Sequence, residues 1–356
     1  MRARLLSLYL ARAILLGIGL ACLLLTGIHL LIDVIREARS LTGGYGPLQM
    51  LWFLLQTTPR RLYDIFPFAA LIGTLLGLGS LAAGNELVAI RAAGFDRSQV
   101  AWRVVMTVGL CVTLMLLTAE WLIPDLEARA RAERQQARTG QLHLGGGGHF
   151  WLRDGQSILR LGEAVWTDRE EVGFTNVLVY ELGSGMRPEK IMTAAHAAHD
   201  GGQWTLHDVR WRRVADGQGG QAASHDLESG LTPGLFQAAI SRPRLMSLTD
   251  LYRLRAYLER SGLDTGPYEQ AFWSRVLFPI NVLAMVMVAL PFVFRHSRTG
   301  GHGAGLFIGV ALGLLFFVVS RLTAGLAMVL PVPIWLSSLL PALLIVGVSL
   351  VFLRRL

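Results

Sequence analysis

At 356 residues, 53% of them hydrophobic, and with a mean hydropathy of +0.46, the chain carries more apolar surface than a soluble fold can bury. Its net charge of +8 comes almost wholly from arginine, Lys190 being the only lysine. Charges that flank membrane helices set orientation and meet anionic lipid, so the basic balance does not imply nucleic acid. Cys22 and Cys111 both fall inside apolar segments, which argues against a disulfide framework.

Taken in chain order, three apolar segments, Ala13 to Ile32, Phe66 to Ala83 and Arg103 to Ile123, precede a long polar stretch. Three more, Phe272 to Phe294, Gly303 to Gly325 and Ile334 to Leu353, follow it. Each approaches the roughly 20 residues that cross a bilayer as a helix. The first is longer than a signal-peptide core and lacks a convincing cleavage site, so it reads as a membrane helix. The expected fold is an α-helical polytopic membrane protein of six transmembrane helices with one inserted extramembrane domain. The division runs 1–123 for helices one to three, 124–265 for the inserted domain with flanking helices, and 266–356 for helices four to six.

Six crossings with a cytoplasmic N-terminus place Arg2, Arg4, Arg12, Arg91, Arg97, Arg295, Arg298, Arg354 and Arg355 inside, as the positive-inside rule favours. The inserted domain then lies outside. The first outer loop, with Arg36, Arg39, Arg60 and Arg61, is more basic than the rule would choose, and either interfacial snorkelling or an anionic ligand accounts for it.

The inner loop between the second and third helices carries a short amphipathic stretch. Asn85 is placed to cap it, Gly94 to end it, and Asp96 with Gln99 to cap the next helix. Leu87, Val88 and Ile90 offer an apolar patch beside Glu86 and Arg91. Two readings stand: a docking lever for a soluble partner, or a helix lying on the bilayer.

After Trp121 the pattern predicts a polar helix through Glu127, Arg131 and Glu133, ended by glycines 145 to 148. Short alternating runs follow, Phe150 to Arg153, Ser157 to Leu161, Thr175 to Leu182, Lys190 to Ala195 and Gln203 to Val214, separated by turn signals such as Asp154-Gly155 and Asp216-Gly217. That spacing predicts a β-sandwich or jelly-roll-like module. Ser247 and Asp250 then mark a helix start, with Leu248, Leu251, Leu254 and Leu258 as its apolar stripe.

In the fifth membrane segment Gly301, Gly305, Gly309 and Gly313 recur every fourth residue, a ridge that lets another backbone approach closely. Ala13, Gly17 and Ala21 form a similar stripe on the first, and Gly73 with Gly77 on the second. Such ridges serve either ordinary packing within the chain or a sliding seam between subunits. Polar residues inside the membrane segments, His29, Asp33, Glu120, Arg275 and Arg321, gather in the outer leaflet, where they anchor helix ends or rim a chamber for an anionic amphiphile.

Catalytic signatures are missing. Lys190 follows Pro188-Glu189 rather than a phosphate-cradling glycine loop, there is no HExxH, and the Gly-Ser-Gly at Ser184 sits at a strand turn. His196 and His199, three apart on a strand, point to opposite faces and make a poor metal site. Nucleotide hydrolysis therefore belongs to another chain, and no cofactor or metal is expected on this one.

The run Phe66-Pro67-Phe68-Ala69-Ala70-Leu71-Ile72-Gly73, with Gly77 and Gly79, and the run Asn85-Glu86-Leu87-Val88-Ala89-Ile90-Arg91-Ala92-Ala93-Gly94-Phe95 resemble the LptF/LptG permeases of lipopolysaccharide export. Glu120-Trp121 before Pro124, the hairpin Trp151 to Gly155, and Tyr268 through Trp273-Ser274-Arg275 to Pro279 match in the same order. The resemblance spans nearly the whole chain, and Gly-Phe after the inner-loop run is more similar to the LptG half.

The resemblance implies a non-catalytic ABC-transporter subunit of the bacterial inner membrane, with a periplasmic β-jelly-roll. It implies pairing with an LptF-like permease around a cavity open to the outer leaflet, and an LptB-like ATPase dimer that holds ATP and magnesium. An LptC-like single-span protein would add a helix, and an LptA-like bridge would carry lipopolysaccharide onward. Within that scheme Glu86, Leu87, Ile90, Arg91 and Gly94, in the helix 85–94, would couple to the ATPase. His29, Arg36, Arg39, Arg275 and Arg321 become lipid-binding candidates, and Ala13, Gly17, Ala21, Gly305, Gly309 and Gly313 gate packing. Glu37 and Leu30 stand where the family pattern has basic residues. A lipoprotein-releasing-type permease and a membrane scaffold or adaptor are the alternatives.

Overall fold

The computed structural model describes residues 2–42, 44–139, 150–154, 156–162, 164–166, 172–183, 187–200, 203–227, 243–260, 263–296, 302–327 and 332–354. Glycines 145 to 148 and Gly301 lie outside them. All six apolar segments fold as helices. They are α1 (Arg2–Ala38), α3 (Thr58–Ala83), α5 (Arg97–Leu117), the bent pair α8 (Gly266–Val276) and α9 (Phe278–His296), α10 (His302–Ala327) and α11 (Ile334–Arg354). Short helices α2 (Pro47–Gln56) and α4 (Glu86–Ala92) sit in the first two loops. A π-helical turn, Thr118–Leu122, joins α5 to α6 (Ile123–Thr139), and α7 spans Leu248–Arg260.

Length and hydropathy suit α1, α3, α5 joined to α6, and α10 for crossing a membrane; α8 and α9 qualify together across a 53° bend. The bend falls at Leu277, two residues before Pro279, which has no N–H to continue the ladder.

The chain forms two compact units. The first comprises Met1–Ser40, Leu54–Glu127 and Glu269–Leu356. Its core repeats at helical spacing: Leu10, Ile14 and Ile18 on α1, Val100, Val104, Val108 and Val112 on α5, and Val282, Met285, Val286 and Ala289 on α9, all around Phe66, Ala70, Leu71 and Leu78 of α3. Lipid tails are as apolar as these side chains, so this core is held by close packing rather than by exclusion of water. Small residues provide the closeness. A Cβ on Gly17 would lie 2.2 Å from the Gly73 carbonyl oxygen, and one on Gly77 2.5 Å from that of Ala13.

The second unit comprises Leu41–Phe53 and Ala128–Tyr268. Seven antiparallel strands form its sheet: β1 (Phe150–Asp154), β2 (Ser157–Leu161), β3 (Ala164–Trp166), β4 (Val172–Leu182), β5 (Pro188–Asp200), β6 (Gln203–Arg213) and β7 (Gly219–Leu227). The order is β1-β2-β4-β5-β6-β7, with β3 also on β4. Pairing therefore follows the sequence except for β3. Registers such as Val179 opposite Met192 and Ala197 opposite Leu206 align strands whose inward alternation shifts by one residue mid-strand, where Asn176 and Asp208 turn left-handed. On the inward face Phe174, Val177, Val179, Met192, Trp204, Leu206 and Val209 form the core, and Tyr257 of α7 packs against them. The Phe174 and Trp204 rings lie 5.2 Å apart.

Turn chemistry matches the sequence reading where it is described. Asp216 accepts the Gln218 amide at 3.1 Å and Gly217 takes φ +69°. Ser247 receives the Asp250 amide at 3.0 Å while donating to the Asp250 carboxylate at 2.7 Å, a reciprocal cap that starts α7. Leu251, Leu254 and Leu258 are its buried stripe, as expected.

One feature of this unit lay beyond the sequence reading. Residues 44–53, part of the first outer loop in the sequence reading, pack on α6: the Arg134 guanidinium sits 5.3 Å from the Phe53 ring and 5.8 Å from that of Tyr45. Gly44 permits the approach, since a Cβ there would stand 2.3 Å from the Ala137 carbonyl oxygen.

Candidate functional site

Three places in the membrane unit bear on function. At one end, α4 closes on Gly94 with the Gly94 amide donating to the Arg91 carbonyl and the Phe95 amide to that of Ile90, an ending that needs the left-handed φ of +93° found at Gly94. At its start Asn85 also turns left-handed, φ +59°, and its side chain forms no cap bond, contrary to expectation. Glu86 is tied instead to α1, its carboxylate accepting the Tyr9 hydroxyl at 2.5 Å. Asp96 precedes α5 and accepts the Ser98 hydroxyl at 2.9 Å. That bond, with the Arg97 amide behind it, holds its carboxyl below the usual range.

Burial divides α4 differently from the sequence reading. Leu87 and Ile90, expected in an exposed docking patch, are 2% and 7% exposed and belong to the membrane-unit core. A seven-residue helix stays put only if one face is packed, and these two supply that face. Glu86, Val88, Ala89, Arg91 and Gly94 remain exposed.

At the other end of α1, Asp33 meets Arg61 with Nε to Oδ2 at 2.5 Å, the two side chains only 21% and 13% exposed. Arg61 also donates to the Leu54 carbonyl at 3.0 Å and to the Thr57 hydroxyl. Its guanidinium thus gathers α1, the end of α2 and the start of α3. Arg60 pairs with Asp64 at 3.3 Å, while Arg36 stands exposed, 3.9 Å from Asp33. Arg275 donates to the Ala119 carbonyl at 3.1 Å, inside the π-helical turn, where the altered register leaves a carbonyl in need of a donor. Tyr63 stacks on Phe278 beside it, centroids 4.3 Å apart.

Among the lipid-binding candidates, His29, Arg36, Arg39 and Arg321 are exposed, with Arg321 over the Phe317 ring at 5.2 Å. Arg275 is half-buried and its described partner is a backbone carbonyl, so it stands apart from the other four. The Asp33–Arg61 pair and the Arg275–Ala119 bond escaped sequence reasoning. The sequence shows each arginine singly, and nothing in it signals a π turn.

The small-residue stripes pack inside the chain. Gly17 lies against Gly73, Ala13 against Gly77, and Ala21 is buried. On α10 a Cβ at Gly309 would meet Leu75, and one at Gly313 would meet Leu71 and Met285. Gly305 lies one turn earlier, outside the residues whose surroundings are described. These ridges are therefore seams with α3 of the same chain, not the outward surface that a partner would meet. What α1 and α10 turn outward is large and apolar: Leu16, Leu20, Leu24 and Ile28 on α1, Val310, Leu314 and Val318 on α10.

A bundle of membrane-length helices, an inserted antiparallel β domain, and outward faces of leucine and valine define a multi-pass membrane protein that carries an extramembrane module. The chain belongs to the family of the lipopolysaccharide export system permease LptF/LptG, whose model matches residues 8–355. It is similar to the lipopolysaccharide export system permease protein LptG of Escherichia coli strain K12, 32% identical over 336 residues, 93% of this chain and 92% of that protein. It is also 29% identical to LptG of Haemophilus influenzae over 341 residues, 95% of each chain. Family membership makes it a transport subunit rather than a catalyst.

Proposed function

We propose that this chain is a permease subunit of an ABC transporter that takes lipopolysaccharide from the outer leaflet of the bacterial inner membrane and passes it, through a periplasmic β-jelly-roll, towards the outer membrane. ATP hydrolysis, with its magnesium, occurs on an LptB-like dimer. An LptF-like permease, an LptC-like single-span protein and an LptA-like bridge complete the path. The observation that carries this reading is whole-length family membership combined with unpartnered apolar faces on α1 and α10.

In this reading α1 and α10 are the lateral gates, and the seam between subunits runs along their leucine and valine faces. Gly17, Gly309 and Gly313 act one step behind, fixing each gate helix to α3 at short range. Arg36, Arg39, His29 and Arg321 are free to meet lipid phosphates, while Arg61 and Arg275 hold the helices that present them. The ATPase reads the exposed side of α4, through Glu86, Val88, Arg91 and the Gly94 turn, and Leu87 with Ile90 transmit its movement to the membrane core.

Purification of the complex from native membranes, followed by ATP turnover with and without added lipopolysaccharide, tests the proposal. Copurification of the ATPase and lipid-dependent turnover are expected. An intact complex whose turnover ignores lipopolysaccharide would favour a scaffold, and stimulation by lipoprotein instead would favour a lipoprotein-releasing permease.

A further inference from the structure

Between α1 and α5 a surface groove of about 770 Å³ opens on the side of the membrane unit that carries α4. Ser7, Gln99 and Arg103 line one end; Trp102, Met106 and Leu110 continue it along α5. The polar end is built rather than incidental. Arg103 donates through Nε to the Ser7 hydroxyl at 2.8 Å and through Nη1 to the Gln99 carbonyl at 2.9 Å, and its guanidinium lies 4.8 Å from the Phe95 ring. These contacts fix a positive charge in the groove mouth. Among the described residues that line the groove, Arg103 is the charged one. Beyond it Trp102, Met106 and Leu110 are 64%, 59% and 71% exposed.

Charge and length together identify an occupant. From Gln99 to Leu110 a helix rises about 16 Å, close to half of the roughly 30 Å hydrocarbon thickness. A partner helix crossing the membrane would need a trough through both leaflets. A single acyl chain needs only one, and Trp102 sits where an aromatic side chain marks the interface. We infer that this groove binds one anionic phospholipid of the leaflet on the α4 side, its phosphate at Arg103 and Ser7 and one acyl chain along Trp102, Met106 and Leu110. Such a lipid would bridge α1 to α5 at the foot of α1, separately from any lipid handled at the opposite end.

Tryptophan quenching tests this on the full chain in nanodiscs, whose two leaflets have the same composition, so the outcome does not depend on topology or on transport. Phosphatidylglycerol or phosphatidylcholine with brominated acyl chains is titrated in, and the Trp102 signal is taken as the difference between the wild type and Trp102→Phe. Half-quenching by phosphatidylglycerol is expected at roughly fivefold lower mole fraction than by phosphatidylcholine, the preference of about one basic contact. Arg103→Gln should abolish that preference. Equal quenching by the two lipids in the wild type would overturn the inference, even if Arg103→Gln fails to fold. So would the lack of a Trp102-specific signal, which would mean that protein covers the groove.

Discussion

The two ends of α1 are held to α3 by different physics. Towards its N-terminal half, Ala13 and Gly17 bring α1 into backbone contact with Gly73 and Gly77, a fit with no charge and almost no room for adjustment. At the far end the link is the Asp33–Arg61 ion pair, partly exposed and made by side chains that can rotate away. A steric seam either fits or fails. An ion pair can open and re-form, and its strength depends on what else competes for the guanidinium. If α1 is a gate, as proposed, the fixed half would serve as the pivot and the ion-paired end as the part that moves.

Breaking the steric half should have the largest effect. Gly17→Leu drives a side chain into the Gly73 carbonyl, and with backbone on both sides the overpacking cost lies at or above about 3 kcal/mol. The expected result is loss of folded protein, read as aggregation on detergent extraction. A monodisperse Gly17→Leu chain with normal thermal stability would show that the seam is looser than described.

Arg61→Ala should cost about 1.5 to 3 kcal/mol, the range for hydrogen bonds to a charged group. Its signature should be local: a spin label at Arg36 becomes mobile while one at Leu15 does not change. The exchange Asp33→Arg with Arg61→Asp should restore order at Arg36. Equal loosening at both labels would mean that α1 moves as one rigid rod and the contrast between its ends has no mechanical meaning.

Gly309→Leu meets only the tip of the Leu75 side chain, which can turn aside, so about 1 kcal/mol is expected, at the low end for overpacking. Cysteines at Gly309 and Leu75 should crosslink within the chain; a Gly309 crosslink to a partner permease would return the ridge to the subunit interface. The smallest effect is expected of Tyr9→Phe, which removes one exposed hydrogen bond. That variant frees Glu86, and hydrogen exchange of the α4 amides should rise while those of α5 hold steady.

How much of this could be read in the sequence follows from which interactions are periodic. The six apolar helical segments, β2 at Ser157–Leu161 and the Ser247 cap of α7 each rest on hydropathy or on a local hydrogen bond, and the sequence displays both. Strand β7 was missed because Gly-Gly-Gln-Ala-Ala-Ser has neither β-branched nor aromatic residues; it forms because β6 offers it an edge. The inward turn of Leu87 and Ile90 was missed because a seven-residue helix shows which residues share a face, not which way that face looks. The same holds for the glycine ridges, whose spacing marks a close partner without saying whether it is the same chain. Pairs such as Asp33 with Arg61 and Arg275 with Ala119 lie far apart in sequence, and only the folded bundle brings them together.

In the proposed reading, lipopolysaccharide passes along the exposed leucine stripe of α1, beside its glycine seam. The most direct measurement is photocrosslinking in native membranes from an amino acid installed at Leu24, 56% exposed, with Val108, fully buried, as control. Lipopolysaccharide adducts that change with ATP are expected at Leu24, and none at Val108. A Leu24 probe that captures ordinary phospholipid but never lipopolysaccharide, in membranes where export proceeds, would contradict it.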